Sequence, residues 1–445
     1  MSNTPLDADT LVVGAGVAGL TTALKLLTQH PDRKVVVLEK YGKLGGRAMT
    51  FKKDIPGVAH VQWENGAGRI HSSHKRLLSI VKHYDLHTAP ISPDAEFRRC
   101  NHRGCTKGGL GAGRLHLEEL LQTLITPLQA LSRHTLGSHT LLQVANEIHG
   151  PERAKALFDQ FPYYTEVHNL RADLALKTFA AEMGTREGYS VLIEGFSALI
   201  DALAADIRTR GGHIRPRHTL KTYKEIRDEE GNFSHIEAAV EIYNPDTKQT
   251  SHHTLKARRL ILALHAEALR KLKPLRTWTP LKYLGSAPLV RIYAIFPKGK
   301  NGRVWFDGMS RTITTNTLRY VIPINPDKGI IMISYTDGLD TRPWFKLADS
   351  ADPDAAAALQ KKLMDEVRHT FGPDVPEPTY LKAHPWSVGT TYWKPGTYDV
   401  SGMSRAAHKV SPHVFVAGEA ISLNQAWIEG ALESVETLFG HPEFK

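Results

Sequence analysis

A glycine-rich segment near the start of the chain has the residue types and spacing needed to bind a pyrophosphate. Gly14, Gly16 and Gly19 form a GxGxxG pattern, and Glu39 follows about 20 residues later, as in dinucleotide-binding folds. The first glycine permits a tight turn, the second allows close approach of a pyrophosphate, and the third allows close packing of helix on strand. The pattern predicts a dinucleotide site with Glu39 on the ribose hydroxyls, where an acid disfavours the 2′-phosphate of NADP.

The elements that must position these residues lie on both sides of the pattern. Residues 10–13 and 35–38 are short apolar runs typical of buried strands, and residues 20–27 are typical of a helix. A strand, a glycine-rich turn, a helix and a second strand form the context in which GxGxxG binds a nucleotide. The helix N-terminus would direct N–H groups and a positive dipole at the phosphates.

The rest of the chain alternates between helical and strand patterns. Helical periodicity dominates residues 115–131 and 141–177 and predicts a helical insertion over 115–180. Helices are also predicted over 195–207 and 351–371 and from about residue 425, with buried strands over 259–264 and 413–417. Residues 244–248 are typical of a hairpin turn, and period-two segments between 289 and 335 predict a sheet.

The composition excludes several classes of protein. The chain has 445 residues, of which 41% are hydrophobic and 23% charged, as in a globular protein of enzyme size. The net charge is +10, but Lys and Arg are dispersed, so no nucleic-acid partner is predicted. No run has the length of a membrane span, so no membrane association is predicted. Cys100 and Cys105 cannot supply a disulfide framework or a zinc site, which favours a reducing, cytoplasmic location and no metal.

Four motifs in the same order make the chain resemble the flavin-containing amine oxidase superfamily. They are the Gly14 pattern with Glu39, the segment Leu44-Gly45-Gly46-Arg47, the segment Glu64-Asn65-Gly66-Ala67-Gly68-Arg69, and the C-terminal Gly418-Glu419 with Trp427-Ile428-Glu429-Gly430. Together they extend over nearly the whole chain. The resemblance implies an α/β fold in which a Rossmann-like FAD-binding domain carries an inserted substrate domain with a mixed sheet and helices.

That resemblance also implies a division of the chain and a set of cofactor contacts. Residues 1–75, 190–275 and 400–445 are expected to form the FAD-binding domain, and residues 76–189 and 276–399 the substrate domain. The cofactor is expected to be FAD, with Arg47 along its pyrophosphate or ribityl chain and Glu419 facing the same end. The residues expected to contact FAD are Gly14, Gly16, Gly19, Glu39, Gly46, Arg47, Gly66, Ala67, Leu220, Trp386, Gly418, Glu419, Trp427 and Ile428.

The attachment of FAD is expected to be non-covalent. Some members of the superfamily tether the cofactor through a cysteine near the end of the substrate sheet. The corresponding stretch here, residues 386–396, contains Thr390 and Thr391 and no cysteine.

The expected class of substrate depends on Arg69. At this position the superfamily commonly has an aromatic residue when the substrate is a plain amine, whereas L-amino-acid oxidases have an arginine that clamps the carboxylate. The chain therefore resembles L-amino-acid oxidases, and most closely the bacterial tryptophan oxidases. A guanidinium suits a carboxylate because two parallel charge-assisted bonds fix its position and plane. The alternative is that Arg69 supports FAD or pairs with Glu64.

Arg291 stands where most relatives have a lysine that holds a water near the flavin. An arginine cannot act as a base because its pKa exceeds about 12. The expected role is a fixed positive charge that stabilises the reduced flavin or shares the substrate carboxylate. This departure leaves oxidase and dehydrogenase activity as alternatives.

Tyr164 and Glu166 lie in a stretch that resembles the pocket lining of the tryptophan oxidases. A carboxylate at Glu166 would favour a cationic substrate side chain such as that of lysine or arginine. The alternative is that Glu166 is a solvated charge on a helix face. Trp427 is expected to form one wall against the flavin, and Trp393 is favoured over Tyr392 and Trp386 for the other.

The leading hypothesis is an FAD-dependent L-amino-acid oxidase. Hydride transfer from Cα to the flavin would give an imino acid, then a 2-oxo acid and ammonia, with dioxygen reduced to hydrogen peroxide. The alternatives are a polyamine or monoamine oxidase and a flavin-bound scaffold protein of weak activity. The expected partners are an L-amino acid and dioxygen, and assembly into a homodimer is left open.

Overall fold

A computed structural model describes residues 5–92, 94–108, 123, 126–182 and 188–444 of the chain. The helix expected over residues 115–131, and with it the beginning of the helical insertion, lies mostly outside these ranges.

The described strands, numbered in chain order, belong to four sheets. They are β1 (Ala8–Val13), β2 (Val35–Leu38), β3 (Thr50–Ile55), β4 (Ala59–Glu64), β5 (Ile70–His71), β6 (Thr88–Pro90), β7 (Ala95–Asn101), β8 (Gly104–Lys107), β9 (Tyr189–Leu192), β10 (His213–Arg215), β11 (His218–Arg227), β12 (Phe233–Asn244), β13 (Gln249–Leu262), β14 (Leu284–Ile295), β15 (Arg311–Thr314), β16 (Tyr320–Asn325), β17 (Ile330–Asp337), β18 (Tyr380–Trp393) and β19 (Val414–Val416).

The described α-helices are numbered in the same way. They are α1 (Val17–Gln29), α2 (Lys75–His83), α3 (Arg133–Ser138), α4 (Leu141–His149), α5 (Pro151–Phe158), α6 (Tyr164–His168), α7 (Ala172–Glu182), α8 (Phe196–Thr209), α9 (Ala266–Lys271), α10 (Pro280–Tyr283), α11 (Phe345–Ala348), α12 (Pro353–Phe371), α13 (Val400–Ala407) and α14 (Ile428–Phe439).

The first sheet holds the glycine-rich turn. Its strands run β10-β2-β1-β13-β12-β11, with β19 also paired to β13. The pairs of β1 with β2 and β13, of β10 with β2 and of β19 with β13 are parallel. All four residues of β2 are buried, which is why its sequence is continuously apolar rather than alternating. Helices α1, α8 and α14 contribute to one buried cluster with this sheet. The strands predicted over 10–13 and 35–38 and the hairpin between β12 and β13 are confirmed.

The second sheet is mixed and is built from other parts of the chain. Its strands run β18-β14-β17-β16-β15-β7-β8, and β15 pairs in parallel with β7 while the other pairs are antiparallel. Two smaller sheets, β3-β4 and β5-β9-β6, complete the described strands. Helices α3 to α7 form most of the predicted insertion, and their apolar residues join a buried cluster that also includes Trp393. The exact division of the chain into domains stays a prediction.

The two cysteines are joined to each other. Cys100 in β7 and Cys105 in β8 are directly opposite in an antiparallel hairpin and form a disulfide. A single crosslink of this kind is not a disulfide framework, and the cytoplasmic location stays a prediction.

None of the helices in the described ranges has the length and the apolar composition that a membrane crossing requires.

Replacement of both cysteines by serine tests the crosslink. The disulfide closes a loop of only 5 residues in sequence, so its loss should lower the free energy of unfolding by no more than about 2 kcal/mol. Denaturant unfolding of wild type and of the double serine variant measures this difference. Unreduced wild type unfolded in denaturant should take up no thiol-specific label, and labelling of both cysteines there would contradict the assignment.

Candidate functional site

The turn between β1 and α1 is built around two glycines that no larger residue can replace. Gly14 has a φ of +103°, and a Cβ there would lie 2.4 Å from the carbonyl oxygen of Ala263. A Cβ on Gly19 would lie 1.8 Å from the carbonyl oxygen of Gly14. Both glycines are therefore required by the folding of the chain itself, because they let helix α1 pack directly on the turn.

Gly16 is different, and its surroundings test whether a dinucleotide fits. Its φ of −77° suits any residue, and a Cβ there would meet only the carbonyl oxygen of Gly45, at 3.8 Å. Around Gly46 and Gly418 a Cβ would also have no neighbour closer than 3.7 and 3.9 Å. These three glycines border open space at the N-terminus of α1. A pyrophosphate lying against the backbone accounts for the glycine at position 16, so the residues fit FAD.

Glu39 is held at the C-terminal end of β2, beside this open space. Its side chain is buried and accepts hydrogen bonds from the N–H groups of Ala15 and Tyr41, both at 2.9 Å. The backbone N–H of His218 donates to the Glu39 carbonyl at 2.8 Å. That bond brings the beginning of β11 to the nucleotide end of the sheet, where Leu220 is buried next to a β-bulge.

The carboxylate of Glu419 is hydrogen-bonded to three segments of the chain, one of which contains the expected FAD contact Arg47. One carboxylate oxygen accepts from the guanidinium of Arg47 at 2.7 Å. The other accepts from the backbone N–H groups of Thr391, at 3.0 Å, and Ala426, at 2.9 Å. Arg47 also donates to the carbonyl of Gly389 at 3.1 Å. The carboxylate thus joins the loop after β2, strand β18 and the segment before α14.

The unusual backbone conformation of Ala426 depends on these hydrogen bonds to Glu419. Ala426 has a φ of +69°, which is uncommon for a residue other than glycine. The bond from its N–H to Glu419 holds this conformation, and the next residue is Trp427, the N-cap of α14. The direction of the Trp427 side chain therefore depends on Glu419. Ile428, the first residue of α14, packs on the buried cluster that surrounds α1.

Arg69 lies within a group of aromatic side chains. Its guanidinium carbon is 5.5 Å from the ring centre of Tyr163, 5.0 Å from that of Tyr189 and 5.9 Å from that of Trp427. Tyr320 and Tyr335 pack against Tyr163 at ring distances of 6.3 and 5.9 Å. We call Arg69 with these five aromatic residues the Arg69 cluster. Contacts of this kind stabilise a guanidinium by about 0.5 to 2 kcal/mol each.

The electrostatics of the Arg69 cluster favour a bound anion. Burial alone lowers the pKa of the Arg69 guanidinium, but the surrounding phenols raise it, and the pKa ends above its ordinary value. Among the described residues, Arg69 makes no ion pair with an acidic side chain within 4.0 Å. A buried charge without a partner is costly, so the cluster is suited to bind a negatively charged group.

Arg291 provides a second fixed cation nearby. It is buried, with its guanidinium 5.5 Å from the ring centre of Tyr335 and donating to the carbonyl of Glu64 at 3.3 Å. Its Nε has no hydrogen-bond partner in the described part of the chain. Gly68 makes room for it, because a Cβ at position 68 would lie 2.7 Å from the Arg291 guanidinium.

The Glu64 carboxyl group is buried between strand β4 and helix α8. It accepts from the Thr50 hydroxyl and from the N–H of Phe196, each at 3.1 Å. Burial raises the pKa of Glu64 from 4.5 to about 7, and those two bonds together with the charge of Arg291 reduce the rise. Glu64 therefore does not serve as an ion-pair partner of Arg69.

The loop that follows Glu64 carries two more of the expected FAD contacts, Gly66 and Ala67, and a third, Trp386, contacts this loop from strand β18. The N–H of Ala67 donates to the carbonyl of Arg47 at 2.9 Å. A Cβ on Gly66 would lie 2.0 Å from the same oxygen. Trp386 donates from its indole to the carbonyl of Asn65 at 2.8 Å. These contacts fix the loop against β18 and the segment around Arg47.

The structure separates two of the predicted substrate residues from Arg69. Trp393 is fully buried, and its indole donates to the carbonyl of Ser422 at 2.9 Å, so it packs in the core and does not face Trp427. Tyr164 stacks on His168 with a ring distance of 3.9 Å, while its neighbour Tyr163 reaches Arg69. The reason is that Asp337 accepts the N–H groups of Tyr164 and Thr165. Helix α6 therefore begins at Tyr164 and leaves Tyr163 in extended backbone.

Sequence reasoning missed most of the Arg69 cluster. Tyr189, Tyr320 and Tyr335 come from β9, β16 and β17, and no local pattern links them to position 69. Tyr163 was within reach of the sequence argument, which named the next residue. In the described ranges no group of three or more His, Cys, Asp or Glu side chains is placed to hold a metal ion.

Two glycine substitutions separate cofactor binding from folding. Gly16→Val places a side chain in open space, so the apoprotein should lose no more than about 1 kcal/mol of unfolding free energy, while bound FAD falls about tenfold or more. Gly19→Ala should instead lower the melting temperature and the soluble yield, because its Cβ meets the backbone of Gly14. Flavin absorbance per protein and thermal unfolding measure both effects. Normal flavin content in Gly16→Val would place the pyrophosphate elsewhere.

Glu64→Gln should change how stability depends on pH. Because the folded protein holds the Glu64 proton up to a pKa of about 7, wild type should lose stability between about pH 4.5 and 7. The variant lacks this loss, so it should match wild type at pH 4 and exceed it by about 1 to 3 kcal/mol at pH 8. Denaturant unfolding across this range measures it, with exposed Glu229→Gln as control. An equal difference at both pH values would contradict the raised pKa.

A protein-family model described as flavin containing amine oxidoreductase matches residues 17–436. No curated protein sequence matches the chain significantly. Among solved structures, a putrescine oxidase variant aligns with a TM-score of 0.71 at 14% identity, covering 98% of this chain and 100% of that chain. Cyclohexylamine oxidase from Brevibacterium oxydans aligns with a TM-score of 0.70 at 15% identity, covering 98% of each.

At these identities the solved structures support the fold alone, and they agree with the predicted two-domain α/β architecture. The family match confirms the prediction of a flavin cofactor, FAD, whereas the resemblance to tryptophan oxidases stays a prediction. Because the family model extends over nearly the whole chain, the protein belongs to the flavin-containing amine oxidoreductase family.

Proposed function

We propose that the protein is an FAD-dependent oxidase of L-amino acids. The observation that carries this proposal is the half-buried Arg69 guanidinium, which lies among Tyr163, Tyr189 and Trp427 and makes no ion pair within the described residues. A substrate carboxylate would supply the missing negative charge. Plain amines carry no such group, so a buried cation in their binding site would repel them.

The proposed reaction converts an amino acid, dioxygen and water into a 2-oxo acid, ammonia and hydrogen peroxide. FAD, when bound, would supply an acceptor for the hydride from Cα and a route for the electrons to dioxygen. The released imino acid then adds water and loses ammonia. The part of the protein in this chemistry is to position the substrate and to exclude water.

Arg69 performs the positioning. Its planar guanidinium can hold both carboxylate oxygens in parallel bonds, which fixes the plane of the carboxylate as well as its place. The flanking rings limit the movement of the guanidinium and shield the pair from water, and charge-assisted bonds are stronger in such surroundings. The α-carbon next to the bound carboxylate is thereby held in one orientation.

Arg291 contributes a second positive charge next to Tyr335. Burial and the nearby carboxylates of Asp337 and Glu166 raise the pKa of the Tyr335 phenol well above its usual value, so this hydroxyl keeps its proton and can donate a hydrogen bond to an anion. The guanidinium of Arg291 is a hydrogen-bond donor that cannot act as a base. It therefore stabilises negative charge and takes no part in proton transfer.

The second candidate is oxidation of an amine that has no carboxylate. It is favoured by the solved structures that share the fold, since these are named putrescine oxidase and cyclohexylamine oxidase. In that case Arg69 would serve the cofactor or the fold rather than the substrate.

Arg69→Ala separates the two candidates. We expect the variant to lose about 2 to 5 kcal/mol of transition-state stabilisation with an L-amino acid, because a buried charge-assisted pair is lost. The amine obtained by decarboxylation of the same amino acid should be affected far less. Steady-state peroxide release with each matched pair of substrates measures the difference, with flavin content recorded for every preparation.

Arg303→Ala is a suitable control, since the side chain of Arg303 is 73% exposed and lies outside the site. It should behave as wild type with both kinds of substrate. Equal losses in Arg69→Ala on the amino acid and on its amine would show that Arg69 does not bind the carboxylate, and the amine oxidase would then become the leading function.

A further inference from the structure

The backbone on both sides of Tyr163 is hydrogen-bonded to side chains that come from the second sheet. On one side, the guanidinium of Arg319 donates to the carbonyl of Phe161 at 2.7 Å. On the other side, the carboxylate of Asp337 accepts from the two backbone N–H groups that follow Tyr163, both at 2.8 Å. The position of Tyr163 therefore depends on the second sheet and not only on its own segment of chain.

Both side chains are firmly held themselves. Arg319 also donates to the carbonyl of Thr314 at 2.8 Å and forms an ion pair with the carboxylate of Asp340 at 2.9 Å. Asp337 is the last residue of β17 and is buried. Hydrogen bonds to charged groups are shorter and stronger than those between neutral groups, so these two residues act as fixed points for the segment that contains Tyr163.

The strands that supply these fixed points also supply the rings around Tyr163. Tyr320, the first residue of β16, directly follows Arg319, and Tyr335 precedes Asp337 by two residues on the same face of β17. The ring centres of Tyr320 and Tyr335 are 6.3 and 5.9 Å from that of Tyr163. The backbone and the ring of Tyr163 are thus held by the same part of the sheet.

The Tyr163 hydroxyl is a hydrogen-bond donor next to Arg69. The Tyr163 ring centre is 5.5 Å from the guanidinium carbon of Arg69. Burial raises the pKa of the Tyr163 phenol to about 12, although the charge of Arg69 opposes the rise, so the hydroxyl keeps its proton. A guanidinium has donors only, so this proton cannot be given to Arg69. An anion bound at Arg69 is an acceptor that both groups can share.

We propose that Tyr163 donates a second hydrogen bond to the substrate carboxylate held by Arg69, and that Asp337 and Arg319 are the positioning residues that place it there. This inference rests on the proposed oxidation of amino acids. It adds one substrate-binding residue to that function, and two residues that act through Tyr163 without touching the substrate.

The need for positioning follows from the geometry of hydrogen bonds. A hydroxyl donor is effective only over about 2.5 to 3.0 Å and loses strength steeply as the angle closes. Tyr163 has extended backbone, with φ of −109° and ψ of 106°, and α6 begins at the next residue. If α6 began one residue earlier, Tyr163 would take helical dihedral angles, and its ring would leave the Arg69 cluster. Asp337 prevents this because it binds the N–H groups that start the helix.

Three compounds that share one carbon chain test the role of Tyr163. L-Norleucine carries an amine and a carboxylate, pentylamine lacks the carboxylate, and hexanoate lacks the amine. Calorimetry with FAD-loaded protein gives the Kd of hexanoate, and peroxide release gives kcat and KM for the other two. The variant is Tyr163→Phe, which removes one oxygen atom. Tyr243→Phe is the control, because Tyr243 is 45% exposed and belongs to β12 in the first sheet.

We expect Tyr163→Phe to weaken hexanoate binding by about 10 to 100-fold and to raise the KM of L-norleucine to a similar extent. The kcat for L-norleucine, the oxidation of pentylamine and the FAD content should stay nearly unchanged. The control should behave as wild type throughout. Wild-type affinity for hexanoate in Tyr163→Phe, or equal losses with L-norleucine and pentylamine, would overturn the proposal.

Asp337→Asn tests positioning, because it keeps the shape of the side chain and removes its charge. Hexanoate binding should weaken by about 3 to 10-fold when Tyr163 is present. In a Tyr163→Phe background the same change should cause no further loss, because the hydrogen bond is already absent. Such non-additivity separates a residue that acts through Tyr163 from one that only stabilises the fold. Equal losses in both backgrounds would contradict the positioning role.

Arg319→Lys covers the case in which Asp337→Asn yields too little folded protein. A lysine keeps the charge but lacks the fork with which a guanidinium holds two carbonyl groups. We expect the same pattern, a loss of hexanoate affinity with Tyr163 present and none with Phe at that position. A loss of the same size in both backgrounds would again contradict the positioning role.

Arg69→Ala keeps this inference distinct from the proposed function. Weaker hexanoate binding in Arg69→Ala but not in Tyr163→Phe would leave the amino-acid oxidase standing and remove the inference. Unchanged hexanoate binding in both variants, with pentylamine oxidised faster than L-norleucine, would remove the proposed function itself.

Discussion

The carboxylate of Glu419 accepts three hydrogen bonds from three distant segments of the chain, and the arrangement of the site depends on it. Arg47 comes from the loop after β2, Thr391 from the last strand of the second sheet, and Ala426 from the turn that precedes α14. Because a charged acceptor forms stronger hydrogen bonds than a neutral one, a single buried residue can hold these segments together. The glycines that border the nucleotide site and the tryptophan of the Arg69 cluster are thereby fixed relative to each other.

The second feature that determines the properties of the site is an imbalance of charge. Arg69 and Arg291 both lie close to the tyrosines of the Arg69 cluster, while the carboxyl group of Glu64, which interacts with Arg291, is kept largely neutral by burial below about pH 7. The interior of the protein is therefore positive where the Arg69 cluster is found.

The first sheet could be predicted from sequence because its signals are local. The apolar runs of β1 and β2, the GxGxxG turn and Glu39 are close together in the chain, and each has a separate physical reason. The Arg69 cluster could not be predicted because its tyrosines are brought together only by the pairing of distant strands. Tyr163 and Tyr164 show the limit most clearly, since the choice between them depends on where Asp337 begins a helix of only 5 residues. The disulfide could not be predicted either, because no turn motif in the sequence indicates the hairpin that places Cys100 opposite Cys105.

Gly68 and the Arg291 guanidinium pack so closely that the size of one residue limits the size of the other. A side chain at position 68 would occupy the place of the Arg291 guanidinium, whereas a shorter cation at position 291 would leave that place empty. The two positions are 223 residues apart in the chain, yet a side chain at position 68 requires the Arg291 guanidinium to move. Substitutions at these two sites should therefore occur together among homologous sequences, with a larger residue at 68 accompanied by a shorter one at 291.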